Sequence, residues 1–438
     1  MTRRFLLQNL TLLCCIIAIN IAPTSKLNAS DSKAIATSIL ENKNLPEVLE
    51  RAKSILGGKL TAGSGYGEVW IRDLNTFIEI ALLVQEKENI RLALLNFFHF
   101  QGEDGNIIDG YIPAESANVG YDYYLSTTRP KLRGHKNTVE TDQEASLIQA
   151  IYKYIAVTGD SSFLATKING KTVTERMHDA LTFLLSHRFD DQYGLIWGAT
   201  TVDWGDVQPE HSWGVALDES SHRCIDIYDN AMFLIAVDNY LELTTAKENE
   251  LRESARIIRN NVRANLWDAE RQKFHPHIYI DESPFPPWFD EDRIHYQGGT
   301  AIAIEAGLLA KVEILSVLND MINNKHFSGA ASVGLTVYPV YPEGFFQNKG
   351  MKPFSYQNGG DWTWFGGRMI QQLIKYGFIQ QAYEELLPMT ERVQKNDGFF
   401  EWYTVKNEPK GSGVFRGSAG VLGKAIIMLT DWANENID

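Results

Sequence analysis

The 438-residue sequence predicts an all-α fold built from helical hairpins. The first observation is the hydrophobic periodicity, because apolar residues recur at i, i+3 and i+4 along most of the chain. Strand-like stretches such as 335–340 are few and short. The amphipathic runs cover residues 74–86, 91–100, 141–158, 174–187, 228–243, 248–266, 299–323, 364–375, 378–394 and 418–434.

The second observation is a recurring cluster of polar residues and glycines directly before an apolar helix. These clusters are centred on residues 73, 142, 226, 297, 361 and 417, at intervals of 69, 84, 71, 64 and 56 residues. Each interval has room for two helices and two loops. The spacing predicts six helical hairpins in a ring, an (α/α)6 toroid whose six inner helices begin at one rim, with an active-site pocket there. An irregular helical array with six ordinary caps is the alternative.

The helix over 141–158 has the clearest local signals. Thr141 and Glu144 have the spacing of a capping box, in which each side chain bonds the backbone of the other residue. Apolar residues then recur as far as Ile155, and Gly159 is a typical stop for a helix. We therefore expect the cap at Thr141 and the end of the helix just before Gly159.

The first 29 residues have the composition of a secretory signal peptide. Arg3 and Arg4 precede an apolar run over 10–22, which gives way to polar residues. A retained membrane anchor is the alternative, but the run is short for a span and asparagines interrupt it. We expect cleavage after Ala29 or near residue 22. The sequence thus predicts a signal peptide over 1–29, a single domain over 30–438, and an exported chain, periplasmic or extracellular, without a membrane span after cleavage.

The charge balance excludes one class of partner. With 41 Lys and Arg against 55 Asp and Glu, the net charge is 41 − 55 = −14. Residues 1–29 hold three basic and no acidic residues, so the mature chain has 38 − 55 = −17. A nucleic-acid partner is not expected, because phosphate binding depends on clustered Lys and Arg. An acidic chain with 10 Trp, 18 Tyr and 21 Phe instead suits a neutral polar ligand that stacks on rings, such as a sugar.

Motifs for metals, nucleotides and serine hydrolysis are absent from the sequence. There is no HExxH, CxxC or Walker-type loop, and no Gly-x-Ser-x-Gly between a strand and a helix. His275 and His277 are expected in a surface turn rather than in a metal site. Removal of residues 1–29 leaves Cys224 as the single cysteine, so no internal disulfide is possible, and we expect a buried apolar thiol. No metal and no cofactor are predicted.

Two loops combine carboxylates with aromatic residues. Asp203 and Asp206 flank Trp204 in a polar loop, and Glu401 lies among four aromatics over 399–403. Cleavage of a glycosidic bond needs one carboxylic acid to protonate the leaving oxygen and one carboxylate to activate water or attack the sugar. Burial against rings keeps an acid protonated near neutrality, and ring faces support the C–H surfaces of a sugar. The alternative is that the aspartates are turn caps and Glu401 an ion-pair partner.

The abundance of tryptophan near these loops favours a lined cleft. Seven of the ten tryptophans lie in or beside the polar loops, whereas a scattered distribution is expected for residues that only fill a core. They are Trp70, Trp197, Trp204, Trp213, Trp362, Trp364 and Trp402.

Four segments in order resemble known enzymes. Residues 70–73 (Trp-Ile-Arg-Asp) resemble the Arg-Asp motif of plant-type and cyanobacterial neutral/alkaline invertases. The helix that opens at Thr141-Asp142 and ends at Asp160 is similar to their next segment. Residues 355–362 (Ser-Tyr-Gln-Asn-Gly-Gly-Asp-Trp) look like their Tyr-His-Asn-Gly-Gly-Ser-Trp, and 400–403 (Phe-Glu-Trp-Tyr) look like their Pro-Glu-Tyr-Tyr. The loop over 202–204 is also similar to the acid-bearing loop of trehalases and processing α-glucosidases.

This resemblance runs from about residue 66 to 430 and implies a six-hairpin (α/α)6 glycosidase. It implies an inverting hydrolase with Asp203 as general acid and Glu401 as general base, and with Asp206 as the second choice for the acid. It also implies a sugar subsite. Its hydrogen-bonding residues would be Arg72, Asp73, Asp142, Gln357, Asn358 and Asp361, and its aromatic walls Trp70, Trp204, Trp362 and Trp402.

The substrate implied is a short or terminal glycoside, of α-gluco type. The invertase loop around the acid carries basic residues that this chain lacks, and Asp361 stands where the invertases have serine, so sucrose is not implied as the substrate. Polysaccharide lyases and sugar epimerases share the helical toroid and are an alternative, although they work with Tyr, His or Arg around a charged sugar. A non-catalytic sugar-binding protein is a third possibility.

Overall fold

A computed structural model describes residues 29–116, 124–212, 215–244 and 249–437. All of the expected signal peptide except Ala29 lies outside the described residues, and so does Trp213.

The described ranges contain thirteen α-helices. A short π-helical turn, Val262–Leu266, extends the eighth helix. The helices are α1 (Ala29–Glu41), α2 (Asn44–Leu56), α3 (Ile71–Ala81), α4 (Lys87–Phe98), α5 (Gln143–Thr158), α6 (Val173–His187), α7 (Ile227–Thr244), α8 (Asn249–Asn261), α9 (Gln297–Glu305), α10 (Lys311–Ser328), α11 (Thr363–Lys375), α12 (Ile379–Lys395) and α13 (Arg416–Glu435).

Six of these helices contact one another in a closed order. Helix α3 packs against α5, α5 against α7, α7 against α9, α9 against α11, α11 against α13, and α13 against α3. The other helices pack against members of this group: α1 and α2 against α13, α4 and α6 against α5, α8 against α7, α10 against α9, and α12 against α11. The starts of the six helices lie within two residues of the six polar clusters predicted from the sequence. The prediction of a mostly helical chain is therefore confirmed.

The two groups of helices differ in how much of their surface is buried. Thirteen of the residues of α7 are buried, on every side of the helix. In α8 only Leu251, Ala255 and Ile258 are buried, along one stripe. A helix that is apolar all round belongs in a core, whereas a single stripe fits a helix with one face in water. The sequence of each helix therefore matches its place among the contacts.

Two local predictions are wrong. Thr141 does not cap α5: its hydroxyl donates to the carbonyl of Trp197 at 3.0 Å, and the carboxylate of Glu144 accepts from Lys136 at 2.9 Å. The expected helix over 299–323 is broken at Gly307, whose φ of 71° ends α9 before α10 begins. The stop at Gly159 is confirmed, since its φ is 69° and its N–H donates to the carbonyl of Ile155.

The chain is mostly rather than purely helical, because the loops pair into small sheets. The described strands form one four-stranded, one three-stranded and five two-stranded sheets. They are β1 (Val69–Trp70), β2 (Gly110–Pro113), β3 (Tyr124–Leu125), β4 (Leu132–His135), β5 (Lys167–Ile168), β6 (Lys171–Thr172), β7 (Phe189–Asp190), β8 (Leu195–Ile196), β9 (Gly198–Ala199), β10 (Arg223–Ile225), β11 (Trp267–Asp268), β12 (Lys273–Phe274), β13 (Ile278–Tyr279), β14 (His295–Tyr296), β15 (Val337–Tyr338), β16 (Phe400–Tyr403) and β17 (Pro409–Gly413).

Strand pairing places residues that are distant in sequence beside the start of α3. In the antiparallel pair β1–β2, Trp70 lies opposite Gly110. A Cβ atom at Gly110 would lie 2.3 Å from the indole of Trp70, so only glycine permits this approach. The pairing therefore brings Asp109, which precedes β2, to the start of α3.

The predictions for Cys224 and His277 have different outcomes. Cys224 is buried and is not in a disulfide, as expected. His277 is not in a surface turn, because its side chain is fully buried and hydrogen-bonds Glu291 at 2.9 Å. The carboxylate of Glu291 also accepts from the hydroxyls of Tyr279 and Tyr341, at 2.7 and 2.6 Å. These residues form a buried polar network under the 198–210 loop, since the Tyr296 hydroxyl joins it to the carbonyl of Thr201.

Candidate active site

A cavity of about 150 Å³ lies where α3, α11 and α13 begin. Its walls come from the first turn of α3, residues 204–211 and 215, the residues at the starts of α11 and α13, and β16. It is lined by Ala62, Tyr66, Trp70, Arg72, Asp73, Asp109, His135, Glu140, Trp204, Asp206, Val207, His211, Val215, Asn348, Tyr356, Gln357, Trp362, Trp364, Glu401 and Phe415.

The cavity brings together eight of the thirteen residues that the sequence proposed for the site. They are Trp70, Arg72, Asp73, Trp204, Asp206, Gln357, Trp362 and Glu401. The other five do not line it, namely Asp142, Asp203, Asn358, Asp361 and Trp402.

Glu401 is a buried carboxylate with two hydrogen-bond donors. The hydroxyl of Tyr66 donates to Oε1 at 3.0 Å, and the backbone N–H of Ser412 donates to Oε2 at 2.7 Å. Burial raises the pKa of Glu401, the two donors act in the opposite direction, and the charge of Asp206 raises it further. Gly411 makes room for this group, because a Cβ there would lie 2.4 Å from Oε2. Glu401 is thus a buried carboxyl group with a raised pKa, held in one orientation.

Asp206 lies in the same cavity and is partly exposed to it. The side-chain amide of Gln357 donates to its Oδ1 at 2.7 Å. Gln357 is itself buried, so its hydrogen bond holds the carboxyl group of Asp206 in one orientation. The electrostatic effect of Asp206 on Glu401 indicates that the two groups interact across this space.

Asp203 has a structural setting. Its two oxygens accept from the backbone N–H groups of Gly298 and Gly299, both at 2.8 Å, in the first turn of α9. The free N–H groups at a helix start are satisfied in this way by a capping carboxylate. Burial raises the pKa of Asp203 to about 8, but the side chain does not line the cavity. Asp203 therefore binds the start of α9, and its role as general acid stays a prediction.

Arg72 is held by two carboxylates. Its guanidinium donates to both oxygens of Asp142, at 2.6 and 3.0 Å, and forms a second ion pair with Glu140. Tyr228 also donates to Asp142, at 2.7 Å. All the groups in this set are buried. Asp142 therefore holds Arg72 and does not itself line the cavity, and its role in binding sugar stays a prediction.

Asn358 and Asp361 also have structural partners instead of a place in the cavity. Asp361 accepts from the N–H and the hydroxyl of Ser332, at 2.9 and 2.6 Å, and its Oδ1 pairs with Arg392 at 2.9 Å. Asn358 accepts from the N–H of Tyr341 at 2.8 Å and donates to its carbonyl at 3.0 Å. Both side chains are fully buried, so they hold the loop before α11 in place.

Trp402 lies behind the cavity wall. Its ring centre is 6.4 Å from that of Tyr356, which does line the cavity. The indoles that line the cavity pack on one another, with the ring of Trp204 at 4.7 Å from Trp362 and 4.9 Å from Trp364. These edge-to-face contacts favour a rigid wall.

Several residues of the cavity were missed by the sequence analysis. Asp109 and Glu140 add two carboxyl groups, and Tyr66 supplies the donor to Glu401. Burial, together with neighbouring carboxylates, raises the pKa of Asp73 and of Asp109 to about 7 in each case. For Asp109 the sequence offered one signal: the apolar pair 107–108 is followed by Asp-Gly, but no helix starts there as it does after the six polar clusters.

Four buried polar atoms, on Trp204, Trp364, Glu140 and Gln357 of the cavity wall, have no hydrogen-bond partner among the described residues. They are the Nε1 atoms of Trp204 and Trp364, Oε1 of Glu140 and Oε1 of Gln357. Buried polar groups in proteins are almost always paired. The two donors and two acceptors therefore point to a polar ligand with hydroxyl groups.

Two further findings concern the described ranges as a whole. No helix there combines the length and the apolar character that a membrane span requires. Nor do these residues include a group of three or more His, Cys, Asp or Glu arranged to hold a metal ion.

Comparison with known proteins shows similarity in fold. No protein-family model and no curated protein matches the sequence. An uncharacterized conserved protein from Thermus thermophilus superimposes with a TM-score of 0.60 at 15% identity, over 89% of this chain and 99% of that one. GH63 mannosylglycerate hydrolase from the same organism, in complex with glucose, gives 0.59 at 15% identity, over 87% and 99%. GH78 rhamnosidase of Bacillus sp. GL1 gives 0.56 at 15% identity, over 87% of this chain but 34% of that one. The fold and the cavity thus define a helical protein with a carboxylate and indole pocket, and its architecture is that of these structures.

Proposed function

We propose that the chain is an inverting glycoside hydrolase on a six-hairpin (α/α)6 toroid, with Asp206 as general acid and Glu401 as general base. The observation that carries the proposal is that these two carboxyl groups line one cavity with indole walls. The closed order of contacts among α3, α5, α7, α9, α11 and α13 supports the toroid. Two of the similar structures bear the names of glycoside hydrolases, which supports the reaction class.

In the proposed reaction Glu401 removes a proton from water while Asp206 protonates the leaving oxygen. A raised pKa makes Glu401 a stronger proton acceptor once it is ionised. Its two hydrogen-bond donors fix the direction of the carboxylate, so that a water on that side faces the anomeric carbon. Inversion requires the two carboxyl groups to stand roughly 6.5–9.5 Å apart, with the sugar and the water between them.

Asp206 takes the place of Asp203 in this proposal. The two oxygens of Asp203 bind the start of α9 and the side chain does not line the cavity, which favours another residue as the acid. Asp206 is only three residues away, is partly exposed, and receives one bond from Gln357, which leaves its second oxygen for the glycosidic oxygen.

The proposed substrate is a terminal or short glycoside, of α-gluco type. The cavity of about 150 Å³ is small compared with the roughly 300–1,000 Å³ typical of ligand pockets. Asp73, Asp109 and Glu140 provide acceptors for sugar hydroxyls, and the indoles of Trp204 and Trp364 provide donors. One sugar ring enclosed by these groups fits the removal of a terminal residue better than cleavage within a long chain.

A screen of aryl glycosides and disaccharides with matched variants tests the proposal. The wild type should hydrolyse at least one α-glycoside, and Asp206→Asn and Glu401→Gln should each reduce turnover by about 10²–10⁴-fold, as expected for loss of a general acid or base. Asp203→Asn is the matched control and should retain turnover per folded molecule. Full activity of Asp206→Asn, or its loss in Asp203→Asn alone, would contradict the assignment. Saturable sugar binding without turnover by the wild type would instead indicate a sugar-binding protein.

We also propose that the chain is exported. The arrangement of Arg3, Arg4 and the apolar run over 10–22 supports a signal peptide. N-terminal sequencing of the mature protein tests this. A mature chain that begins after Ala29 or near residue 22 is expected, whereas an intact N-terminus would contradict it.

A further inference from the structure

We infer that the cavity selects an uncharged glycoside and discriminates against sugars or leaving groups that carry a carboxylate. This inference rests on the proposed function, since it names the substrate class of the same cavity. It depends on three observations: the balance of charged groups in the wall, the partners of the one guanidinium, and the buried polar atoms without partners.

Carboxyl groups outnumber basic side chains in the cavity wall. Five carboxyl groups line it, those of Asp73, Asp109, Glu140, Asp206 and Glu401. Among the described lining residues Arg72 is the single Lys or Arg. A ligand carboxylate would therefore enter a space where the like charges exceed the opposite ones.

Arg72 is already committed to other carboxylates. Each of its three nitrogens has a partner, because Nε and Nη2 donate to the two oxygens of Asp142, Nη2 also pairs with Glu140, and Nη1 donates to the carbonyl of Trp204 at 3.4 Å. Recognition of a carboxylate by arginine normally uses two parallel N–H groups of one guanidinium. That geometry at Arg72 is taken up by Asp142, so a ligand would have to displace a buried ion pair.

The two histidines of the cavity wall do not replace Arg72 as a binding group for a ligand carboxylate. His211 faces Asp218, with its Nε2 3.4 Å from a carboxylate oxygen. His135 packs edge-on against Trp70, with ring centres 6.1 Å apart. Neither arrangement forms a cluster of donors directed at one anion.

The unpartnered atoms indicate what the cavity does bind. Oε1 of Glu140 and Oε1 of Gln357 need donors, and Nε1 of Trp204 and of Trp364 need acceptors. Glu140 is 6% exposed and Gln357 and Trp204 are 1% and 3% exposed, so leaving these atoms without a partner is costly. A hydroxyl group both donates and accepts, whereas a carboxylate only accepts. The hydroxyls of an uncharged sugar can satisfy both kinds of atom, and a carboxylate can satisfy only the donors.

This substrate class differs from the one named for a similar structure. Mannosylglycerate, in the name of the GH63 hydrolase, carries a carboxylate on its glycerate part. Although the fold is shared at 15% identity, we do not expect this cavity to bind such a carboxylate, because the described residues of its wall include no Lys or Arg free of a carboxylate partner.

Binding of matched sugar pairs to the full-length mature protein tests the inference without the need for turnover. We would titrate glucose against glucuronate, mannose against mannuronate, and galactose against galacturonate by calorimetry at pH 8, above the pKa of about 7 for Asp73 and Asp109. In the pair with the tightest hexose, the hexose should bind at least about tenfold more tightly than its uronate. Asp109→Asn should narrow that ratio by removing one like charge.

Asp431→Asn is the matched control, because Asp431 is an exposed carboxylate near the far end of α13. It should leave the ratio unchanged. A uronate that binds as tightly as its hexose, a ratio that Asp109→Asn does not narrow, or the absence of binding by every hexose would overturn the inference. Hexose binding with the expected ratio but no hydrolysis of any glycoside would retain the inference and reject the proposed hydrolase.

Discussion

The hydroxyl of Tyr66 should lower the pKa of Glu401, the proposed base, and Tyr66→Phe removes this one hydrogen bond. The hydroxyl donates to Oε1 of Glu401 at 3.0 Å, which favours the carboxylate and lowers its pKa. Burial and nearby carboxylates raise the pKa of Tyr66 above its ordinary value. The phenol therefore stays protonated and remains a donor at every working pH.

The size of the effect follows from the strength of this bond. A hydrogen bond to a charged group contributes about 1.5–3 kcal/mol, and a shift of one pKa unit corresponds to about 1.4 kcal/mol. Removal of the hydroxyl should raise the pKa of Glu401 by about 1–2 units. Since Glu401 must be ionised to act, kcat/KM falls as the pH drops below that pKa. The acidic limb of the profile should therefore move upward by the same amount, with little change at its plateau.

The assay is the pH profile of kcat/KM for the wild type and two variants, on the best substrate of the screen. Tyr403→Phe is the matched control, because Tyr403 lies in the same strand, two residues from Glu401, and its hydroxyl is not a partner of that carboxylate. Its profile should coincide with that of the wild type. An acidic limb in Tyr66→Phe that stays in place or moves downward would refute the reasoning, as would an equal shift in Tyr403→Phe.

The other predictions concern stability. Asp109→Asn should stabilise the protein more at pH 8 than at about pH 4, because the wild type, with its pKa of about 7 at Asp109, loses stability as the pH rises over that interval and the variant does not. The gain is at most about 4 kcal/mol, and less because the group partly faces cavity water. An equal difference in unfolding free energy between variant and wild type at both pH values would contradict this prediction. Arg72→Met should lower the free energy of unfolding in urea by about 3–5 kcal/mol, since it leaves Asp142 and Glu140 buried without their cation. The double variant with Asp142→Asn should recover part of that loss. A loss below about 1 kcal/mol in Arg72→Met would show that the ion pairs do not stabilise this part of the fold. Asp203→Asn keeps one acceptor for the start of α9 and loses the other, which costs about 1–3 kcal/mol, but it also removes a buried acid whose pKa is raised to about 8; the cost relative to the wild type should therefore shrink as the pH rises from about 4 to 8, while turnover per folded molecule is retained.

The positions of the inner helices were predictable because their signals are local. Polar residues before an apolar run determine where a helix can begin, and this holds at residue 226 as well as at residue 417. The break at Gly307 was missed because the apolar pattern continues across it, and only the backbone angle ends the helix. The Thr141 cap failed because a distant carbonyl, that of Trp197, competes for the same hydroxyl.

The choice between Asp203 and Asp206 could not be made from the sequence. The two residues are three positions apart on one loop, and their directions depend on partners 95 and 151 residues away, at Gly298 and at Gln357. Asp203 has a φ of 57°, which turns the chain at this point and separates the two side chains. Tyr66 and Asp109 were missed for the same reason, since tertiary contacts with Glu401 and strand pairing bring them to the cavity.

The anomer of the first product tests the central claim, that Asp206 and Glu401 act from opposite sides of the bond. Proton NMR during the first turnovers of an α-glycoside should show the β-anomer of the released sugar, followed by slow mutarotation. Asp206→Asn and Glu401→Gln should abolish this signal, while Asp203→Asn should retain it. An α-anomer formed first, or an undiminished β-signal in either active-site variant, would contradict the opposed pair.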